Sequence, residues 1–563
     1  MEMDALVEDL GPSKGSLLHS FMAGTMLTLY HLLIWLLVLL GAVLIGAAIW
    51  VRQTFGTVIV DQILLNLPGA AGAEGTGIGQ EYVESFIWLA IFIPLVAVLA
   101  LGAIILIIWG LVLLARRRRI LISGSGAILD EEKRPRKPRT AIRRSVQAVA
   151  AIAVFAVGVV SFSETVSLWQ YIRSITASVS MADYYVTPGG RDDYLPVDTQ
   201  EERDPDLRNL VMIYLESTED AFADEEVFGA NLLEPLTEAT SGWDTVPSLL
   251  TYWGGGWTMA GLVGTQCGVP LRGAEFSKTD INSNEIGAGN ADYLAGAVCL
   301  GDVLAGIGYR NVFMGGADLE FAAKGNFFAS HGYEDIRGYS DWEMLRQSRE
   351  LADEDFGPWG LSDRALMEQA KQEVTRLHES GEPFNLTLLT LDTHEPVHLY
   401  EHCPESLGPG LESVIRCSAG NVADFIEYLQ SMGYLDDTVV ILVGDHPKML
   451  GEGGALWEEM KDIEDTDRTI FNRIWSPDGV EVARPNSDQL SLYATMLELL
   501  GLGREDGRAG VGVSLLREGS SDDAILALSA FEYEELLRSR SSDLYRQLWG
   551  IEDVIDAQSQ GAG

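Results

Sequence analysis

The chain has 563 residues, with 82 acidic and 39 basic side chains and a formal net charge of −43 at pH 7. This excess of negative charge excludes nucleic acid as a natural partner, because phosphate backbones are bound through Lys and Arg. It also disfavours docking onto an anionic membrane surface unless local cations or a metal offset it. The length suits about two to four domains.

Three apolar runs in the first third of the chain predict transmembrane helices. The first two, at about 23–51 and 86–115, exceed the ~20 residues that cross the hydrocarbon core. The third, at about 145–165, is shorter, and a buried core helix is its alternative. A cleaved signal peptide does not fit the first run, which is too long and begins too late. Residues 1–166 are therefore interpreted as a membrane domain.

Charges beside these runs predict their orientation. Four arginines at 116–119 follow the second run, and further Lys and Arg residues at 133–144 lead into the third. By the positive-inside rule, this loop and the N-terminus are cytoplasmic. The loop at 52–85 has a single basic residue, Arg52, and faces outside. Everything after about residue 166 is then expected outside as well.

Four cysteines, Cys267, Cys299, Cys403 and Cys417, lie on the outer side in this topology. An even number in an oxidising compartment predicts two disulfides. Pairing of sequence neighbours is favoured, which joins Cys267 to Cys299 and Cys403 to Cys417. The alternative is a set of four free, buried thiols.

Residues 208–520 alternate short apolar runs with helical patterns, which predicts an α/β domain with a mainly parallel central sheet flanked by helices. Strands are predicted at 210–215, 310–314, 384–391 and 438–443, with helices such as 361–377 and 422–432 between them. Residues 167–207 are interpreted as a stem and linker. Residues 521–563 are interpreted as a polar, partly helical tail to which the sequence assigns no role.

Ligand-type side chains follow the predicted strands. Glu216 follows the first, His394 the third and the pair Asp445 and His446 the fourth, while Lys324 lies beyond the second. In an open α/β sheet, ligands bind outside the carboxyl ends of the strands. Taken alone, an acidic residue at such a position could instead cap a helix, and a histidine could simply be hydrogen-bonded. Carboxylates and imidazole gathered at one edge favour a site for one divalent metal: Mn²⁺, Zn²⁺ or Mg²⁺.

A turn with three consecutive glycines, at 254–256, precedes Thr258 and a small apolar run that predicts the start of a helix. The N–H groups at a helix start attract anions, so a hydroxyl there is well placed to meet a phosphate. Thr258 is therefore the candidate nucleophile. Its alternative role is to cap the helix.

Several motifs then occur together and in a fixed order: GWTMAGLVGTQCGVPL, AVCLGDVL, FMGGADLEFAAKGNFFASHGYEDI, TLDTHEP, IRCSAGNVADFI and VGDHPKM. In combination they closely resemble the phosphoglycerol transferases that modify osmoregulated periplasmic glucans. They are more distantly similar to lipoteichoic acid synthases and to the alkaline phosphatase–sulfatase superfamily. The resemblance covers about 205–520 and includes the four cysteines.

The resemblance implies a role for individual residues. Thr258 matches the threonine that becomes glycerophosphorylated, His394 matches a histidine that contacts phosphoglycerol, and Lys324 lies near the synthases' substrate-binding arginine. One divalent metal is implied, with Mn²⁺ favoured over Zn²⁺ or Mg²⁺, and its ligands are matched by Glu216, Asp445, His446 and the Thr258 oxygen.

The implied reaction moves sn-glycerol-1-phosphate from phosphatidylglycerol, through the covalent threonine, to a glycan acceptor that is expected to be a periplasmic glucan, and it releases diacylglycerol. The implied place is a bacterial inner membrane, with the catalytic domain in the periplasm. Pro447 departs from the synthase pattern, and the chain is shorter than glucan-modifying relatives, which leaves the acceptor open.

Three other interpretations are retained: a phosphoethanolamine transferase, a sulfatase-like ester hydrolase and a non-catalytic, membrane-anchored binding protein. The sulfatase motif C/S-x-P-x-R is not matched, because Pro270 and Arg272 each lie one position too far from Cys267. The presence of Thr258 together with the matched metal ligands argues against the binding protein.

Overall fold

A computed structural model describes residues 12–70, 78–122, 137–175, 177, 179–188, 207–273, 292–404, 407–464, 467–519 and 525–550. The basic residues at 133–136 and most of the predicted linker, 189–206, lie outside these ranges. The chain forms two compact units. The first comprises Met1–Thr57 and Glu81–Ser167, and the second comprises Val58–Gln80 and Leu168–Gly563.

The first unit contains three helices long and apolar enough to cross a membrane, at Gly24–Thr54, Tyr82–Ala115 and Ile142–Thr165, as the sequence predicts. In chain order, the helices up to this point are α1 (Pro12–Thr54), α2 (Val60–Ala70, part of the second unit), α3 (Ile78–Phe86), α4 (Ile93–Ile122) and α5 (Lys137–Thr165), with a π-helical turn at Ile87–Phe92. Helices α1 and α5 approach closely at small residues. A Cβ on Gly41 would lie 2.7 Å from the Val154 carbonyl oxygen, so glycine permits this packing.

A six-stranded sheet forms the centre of the second unit. Its strands are β1 (Asn209–Leu215), β2 (Arg310–Gly315), β3 (Asp335–Arg337), β4 (Phe384–Leu389), β5 (Thr438–Gly444) and β6 (Asn472–Trp475). Their order is β3–β2–β4–β1–β5–β6, and all neighbours are parallel except β5 and β6. The predicted mainly parallel sheet is therefore confirmed.

All four predicted strands are present, although β4 ends at Leu389 rather than at residue 391. The chain leaves the sheet there because the Leu391 N–H donates to the Asp363 side chain instead of to a neighbouring strand. This early exit begins the loop that carries His394.

Alternate residues of β1 face two different apolar cores, as expected for a strand buried on both sides. Leu210, Met212 and Tyr214 belong to one core, and Val211 and Ile213 belong to the other.

The remaining helices of this unit are α6 (Leu168–Ile175), α7 (Glu225–Phe228), α8 (Glu234–Ala239), α9 (Thr258–Cys267), α10 (Leu300–Gly306), α11 (Lys324–Ser330), α12 (Tyr339–Ser348), α13 (Asp363–Ser380), α14 (Leu411–Ser431), α15 (Trp457–Met460), α16 (Ser491–Leu499), α17 (Ala530–Arg538) and α18 (Ser542–Leu548). A two-stranded hairpin, β7 (Arg508–Ala509) with β8 (Gly512–Val513), completes the regular structure of the described residues.

The predicted polar, partly helical tail contains two helices, α17 and α18, and apolar side chains of both are packed into the second unit. The first core includes apolar side chains of α17 and α18, namely Leu536, Leu537, Leu544, Tyr545 and Leu548. These residues recur at helical spacing among charged neighbours, so each helix buries one face and exposes the other. Average polarity conceals such a pattern.

Both predicted disulfides are present. Cys267, the last residue of α9, is bonded to Cys299, and Cys403 is bonded to Cys417. No free cysteine remains in the chain, whose four cysteines all lie among the described residues. The first bridge ties the end of α9 to the start of α10.

Candidate metal and nucleophile site

Thr258 is the first residue of α9, directly after the glycine-rich turn. Its Oγ1 donates to Glu216 Oε2 at 3.2 Å and lies 3.5 Å from His446 Nε2. The Thr258 hydroxyl therefore bonds across to residues of two other elements. The residue that precedes it, Trp257, occupies the N-cap position without a side-chain capping bond. The structure thus places Thr258 one position inside the helix, not at the cap.

Glu216 follows β1 and is almost fully buried. Its backbone N–H donates to Thr390 Oγ1 at 2.9 Å, and its carbonyl oxygen accepts from Thr393 Oγ1 at 2.6 Å. The Ser217 hydroxyl donates to Glu216 Oε1 at 2.7 Å. These hydrogen bonds fix the backbone and Oε1 of Glu216, and Oε2 is the oxygen that accepts from Thr258.

Asp445 and His446 follow β5, the strand beside β1, so the parallel register brings their ends together. Asp445 Oδ1 accepts two backbone N–H bonds at 2.8 Å, from Ser217 and from His446. His446 Nδ1 lies 2.8 Å from the carbonyl oxygen of Pro447. Since a carbonyl only accepts, Nδ1 carries the hydrogen, and Nε2 presents a lone pair to the site.

One ligand atom each from Glu216, Asp445 and His446 lies within 4.8 Å of the others. Asp445 Oδ2 is buried without a hydrogen-bond partner, which is costly unless another group satisfies it. Two carboxylates and a neutral imidazole fit a divalent cation of the Mn²⁺, Zn²⁺ or Mg²⁺ class. Two other candidate groups occur among the described residues, but both include cysteines whose sulfurs are in disulfides.

The pKa values of the two carboxylates also favour a bound cation at this site. Burial alone would raise the pKa of Glu216, but His394, His446, the Ser217 hydroxyl and Lys448 together bring it down to about 2. Burial and the Glu216 charge raise the pKa of Asp445 well above its ordinary value. Two buried carboxylates this close repel each other when both are ionised, and a bound cation would offset that repulsion.

His394 lies on the loop after β4, and it lines a pocket with Glu216, Thr258 and Trp359. Its Nδ1 lies 2.9 Å from the Glu395 carbonyl oxygen, so Nε2 is the free acceptor. Its ring centroid lies 4.2 Å from that of Trp359, in an edge-to-face contact. Burial lowers the pKa of His394, which keeps the imidazole neutral near pH 7.

Lys324 begins α11 and lines the same pocket with Phe321. Its Nζ donates to the Phe321 carbonyl oxygen at 2.9 Å and lies 4.8 Å from the Phe321 ring centroid. Burial lowers its pKa to about 8, although Glu216, Asp318 and Asp445 oppose the shift. The structure therefore brings together all six residues that the sequence selects for this site, namely Glu216, Thr258, Lys324, His394, Asp445 and His446.

Sequence reasoning missed several residues that shape the site. Trp359 lines the pocket from a loop with no catalytic pattern, and Phe321 lines it from the turn that precedes Lys324. Lys448 is buried, and its Nζ lies 3.0 Å from Glu395 Oε2 on the His394 loop. A buried Glu219 accepts from the Lys448 N–H and pairs with Arg468, which braces the loop after His446. The available signal was that Phe321 and Lys448 lie within motifs of the family resemblance.

Cys267 is not at the nucleophile position. It ends α9, is buried and is bonded to Cys299, whereas Thr258 occupies the start of the helix beside the ligands. The structure therefore offers no cysteine for the sulfatase-type modification.

Comparison with known proteins agrees with this architecture. Residues 208–502, more than half of the chain, match the family model described as Sulfatase. The chain is 32% identical over 335 residues to phosphoglycerol transferase I of Xanthomonas campestris pv. campestris (strain B100), which covers 57% of this chain and 44% of that protein. It is 28% identical over 361 residues to phosphoglycerol transferase I of Salmonella newport (strain SL254), covering 62% and 43%. The chain thus spans less than half the length of these curated relatives.

Solved structures are similar at lower identity. Lipoteichoic acid synthase LtaP from Listeria monocytogenes is 15% identical with a TM-score of 0.43, covering 56% of this chain and 76% of that one. A protein in the alkaline phosphatase superfamily from Vibrio parahaemolyticus is 20% identical with a TM-score of 0.42, covering 56% and 71%. By the family match over residues 208–502, and with an α/β domain of the expected order, the chain belongs to the sulfatase family.

Proposed function

We propose that this protein is a membrane-anchored, metal-dependent phosphoglycerol transferase. It would move sn-glycerol-1-phosphate from phosphatidylglycerol, through a covalent intermediate on Thr258, to a glycan acceptor. The observation that carries this proposal is the Thr258 hydroxyl at 3.2 Å from Glu216 and 3.5 Å from His446, at the start of a helix. The similarity to phosphoglycerol transferase I proteins supports the choice of transferred group.

In the first step, Thr258 Oγ1 attacks the phosphorus of the phosphodiester. The bond from phosphorus to the diacylglycerol oxygen breaks, and the proton lost by the threonine balances the proton that diacylglycerol gains. The N–H groups at the start of α9 face the phosphate oxygens and stabilise their charge. Glu216, which accepts the Thr258 hydrogen bond, orients the attacking oxygen.

In the second step, an acceptor hydroxyl attacks the same phosphorus and releases Thr258. The acceptor's proton returns to the threonine oxygen, so the enzyme is restored. His394 has a free Nε2 and a lowered pKa, which suit it to take the acceptor's proton in transit. The cationic Lys324 neutralises the phosphoryl group, and the rings of Trp359 and Phe321 wall the pocket.

Glu216, Asp445 and His446 would hold the metal, which we propose to be Mn²⁺, with Zn²⁺ and Mg²⁺ as alternatives. When bound, such a cation supplies positive charge for the ionised threonine oxygen and the phosphoryl oxygens. The orphaned Asp445 Oδ2 supports this assignment.

The three apolar helices support insertion into a membrane, where the donor lipid resides. We propose the bacterial inner membrane, with a cytoplasmic N-terminus, the second unit in the periplasm and a periplasmic glucan as acceptor. The two disulfides favour that oxidising compartment. Modification of single introduced cysteines at residues 53 and 118 by an impermeant reagent tests the orientation. Labelling at residue 53 alone is expected. Labelling at residue 118 alone would show the opposite membrane orientation.

The transfer itself is tested with full-length protein in mixed micelles containing Mn²⁺ and phosphatidylglycerol labelled in the head-group glycerol. Intact-mass spectrometry is expected to show one glycerophosphate adduct on the wild type and none on Thr258→Ala. Labelled product on an added glucan would then identify the acceptor class.

Other outcomes would redirect the proposal. An adduct or turnover with phosphatidylethanolamine alone would favour phosphoethanolamine transfer. Turnover of a sulfate ester alone would favour a sulfatase. Metal binding without reaction on any ester would favour a binding protein.

A further inference from the structure

The second unit includes a segment that precedes the second membrane span. Residues 58–65, which contain the first turns of α2, belong to the compact unit that carries the nucleophile and not to the unit of the three long helices. Val58 and Asp61 in this segment are buried. Leu65 packs against the core that also contains Met259 of α9. The 58–65 segment is therefore an integral part of the catalytic unit.

A buried ion pair fixes the segment. Arg540, which lies between α17 and α18, contacts Asp61 at 3.0 Å, and both side chains are at most 5% exposed. The Gly273 N–H donates to Asp61 Oδ1 at 3.1 Å, and Arg540 donates to the Gly273 carbonyl oxygen at 2.9 Å. Each charged group is thus paired and hydrogen-bonded, as a buried pair requires.

The same arginine holds the segment that follows the third span. Its guanidinium lies 4.8 Å from the Tyr171 ring centroid in α6, and its backbone N–H donates to the Ser174 carbonyl oxygen at 3.3 Å. Two stretches that adjoin apolar helices in the sequence therefore meet at Arg540. This arrangement explains why the C-terminal helices are folded into the unit.

Three contacts place the 58–65 segment beside the loops of the candidate site. Ile59 Cδ1 lies 2.8 Å from the position that a Cβ on Gly254 would take, in the turn before Thr258. Gln62 Nε2 lies 3.9 Å from the sulfur of Met449, on the loop after His446. Helix α2 also runs alongside the turn Phe321–Ala323, which precedes Lys324. The turn before Thr258 and the loop after His446 therefore touch the 58–65 segment, and the helix that begins in this segment runs beside a turn that lines the pocket.

We propose that the 58–65 segment is a donor-recognition element that contacts the diacylglycerol part of the lipid donor. This inference rests on the proposed lipid-dependent transfer. The segment offers the half-buried apolar side chains Ile59, Ile63 and Leu64, and it follows the first span after a short connection. Chain connectivity keeps such a segment near the membrane surface, where the glycerol backbone of a phospholipid lies. A soluble ester lacks the group that this segment recognises.

The test compares two substrates on full-length protein in mixed micelles. One is phosphatidylglycerol, and the other is a water-soluble aryl phosphodiester without acyl chains. Ile63→Ala and Leu64→Ala each shorten a half-buried apolar side chain of the segment. Both variants are expected to raise KM for the lipid at least about tenfold and to change turnover of the soluble diester by less than about twofold. Glu498→Gln, which breaks a surface ion pair with Arg517, is the control and is expected to change neither.

If a variant lost activity equally on both substrates, the segment would have a purely structural role and the proposal would be overturned. An unchanged KM for the lipid would also overturn the proposal. A second readout does not depend on transfer. In Thr258→Ala protein, phosphatidylglycerol added to detergent micelles is expected to slow hydrogen exchange in the peptide that spans 58–65. Absence of that protection would also overturn the proposal. Protection in the Thr258→Ala protein together with no transfer by the wild type would instead uphold it and reject the proposed transfer.

Discussion

The hydroxyl of Thr258 donates a hydrogen bond of 3.2 Å to Glu216, although the two residues are 42 positions apart in the chain. Glu216 directly follows the central strand β1, and Thr258 begins α9. Their contact joins the nucleophile candidate to the metal-ligand cluster. The chemistry at this site therefore depends on how closely α9 approaches the carboxyl end of the sheet.

Replacement of the hydroxyl tests its role directly. Thr258→Ala is expected to lower kcat for diacylglycerol release by at least about a thousandfold, because it removes the oxygen on which the proposed covalent intermediate forms. Thr258→Ser keeps the oxygen and is expected to retain measurable turnover and the glycerophosphate adduct. Retention of more than about a tenth of wild-type kcat in the alanine variant, with an unchanged melting temperature, would contradict the assignment.

The approach of α9 to the metal ligands is tested at a glycine. A Cβ on Gly261 would lie 2.1 Å from the Asp445 carbonyl oxygen and 3.2 Å from Gln489 Nε2. Gly261→Ala is therefore expected to push the helix away from Asp445 and to reduce kcat at least about a hundredfold, since small misplacements at an active site have effects of this size. Diacylglycerol release by purified protein provides the measurement.

The matched control lies in the glycine-rich turn. A Cβ on Gly256 meets nothing within 4 Å, and the backbone there is not left-handed. Gly256→Ala is expected to leave both kcat and melting temperature near wild type. Equal effects of the two substitutions would mean that the separation of α9 from Asp445 does not limit activity.

Metal dependence is tested at Asp445. Asp445→Asn keeps an oxygen that can accept the two backbone hydrogen bonds but removes a charged ligand. Titration of metal-stripped protein with Mn²⁺ is expected to raise the melting temperature of the wild type, because a ligand that binds only the folded state stabilises it. The variant is expected to need at least about tenfold more metal for the same shift. An identical titration curve for both proteins would remove Asp445 from the ligand set.

A second pair of carboxylates, outside the proposed ligands, gives the protein a pH-dependent stability. Asp392 Oδ2 accepts from the Asp363 N–H at 3.1 Å, while Asp363 accepts from the Leu391 N–H at 2.7 Å and from the Ser418 hydroxyl at 2.6 Å. Burial raises the pKa of Asp363 to about 6 and that of Asp392 well above its ordinary value. Both groups therefore hold protons in the folded state that the unfolded chain releases near pH 4.

The sign of the effect follows from that difference. Because the folded state holds more protons on these two carboxyl groups, their contribution to stability is largest below about pH 4 and is lost as the pH rises through about 6. The melting temperature of the wild type is expected to drop by a few degrees between pH 5.5 and 8, and Asp392→Asn, which mimics the protonated acid, is expected to flatten this slope. The exposed Asp436→Asn is the control with an unchanged slope. If the melting temperature of Asp392→Asn fell with pH as steeply as that of the wild type, Asp363 and Asp392 would not be the source of the pH dependence.

Much of the fold could be read from local patterns. The three spans are visible as apolar runs, and β1, β2, β4 and β5 as short buried runs, because each property depends on residues adjacent in the chain. The rule that parallel strands present ligands at their carboxyl ends then sufficed to select Glu216 and Asp445 for one site. The disulfides followed from four cysteines on one side of a membrane.

The chain by itself thus determined the three spans, four strands of the central sheet, the sheet edge that carries the candidate site and the candidate nucleophile. Only the tertiary structure decided that the 58–65 segment and the C-terminal helices complete the second compact unit through Asp61 and Arg540, which are 479 residues apart. It also decided that Trp359 packs on His394 and that Lys448 braces the same loop. These contacts arise from long-range packing and burial, whose free energy depends on neighbours that no local window contains.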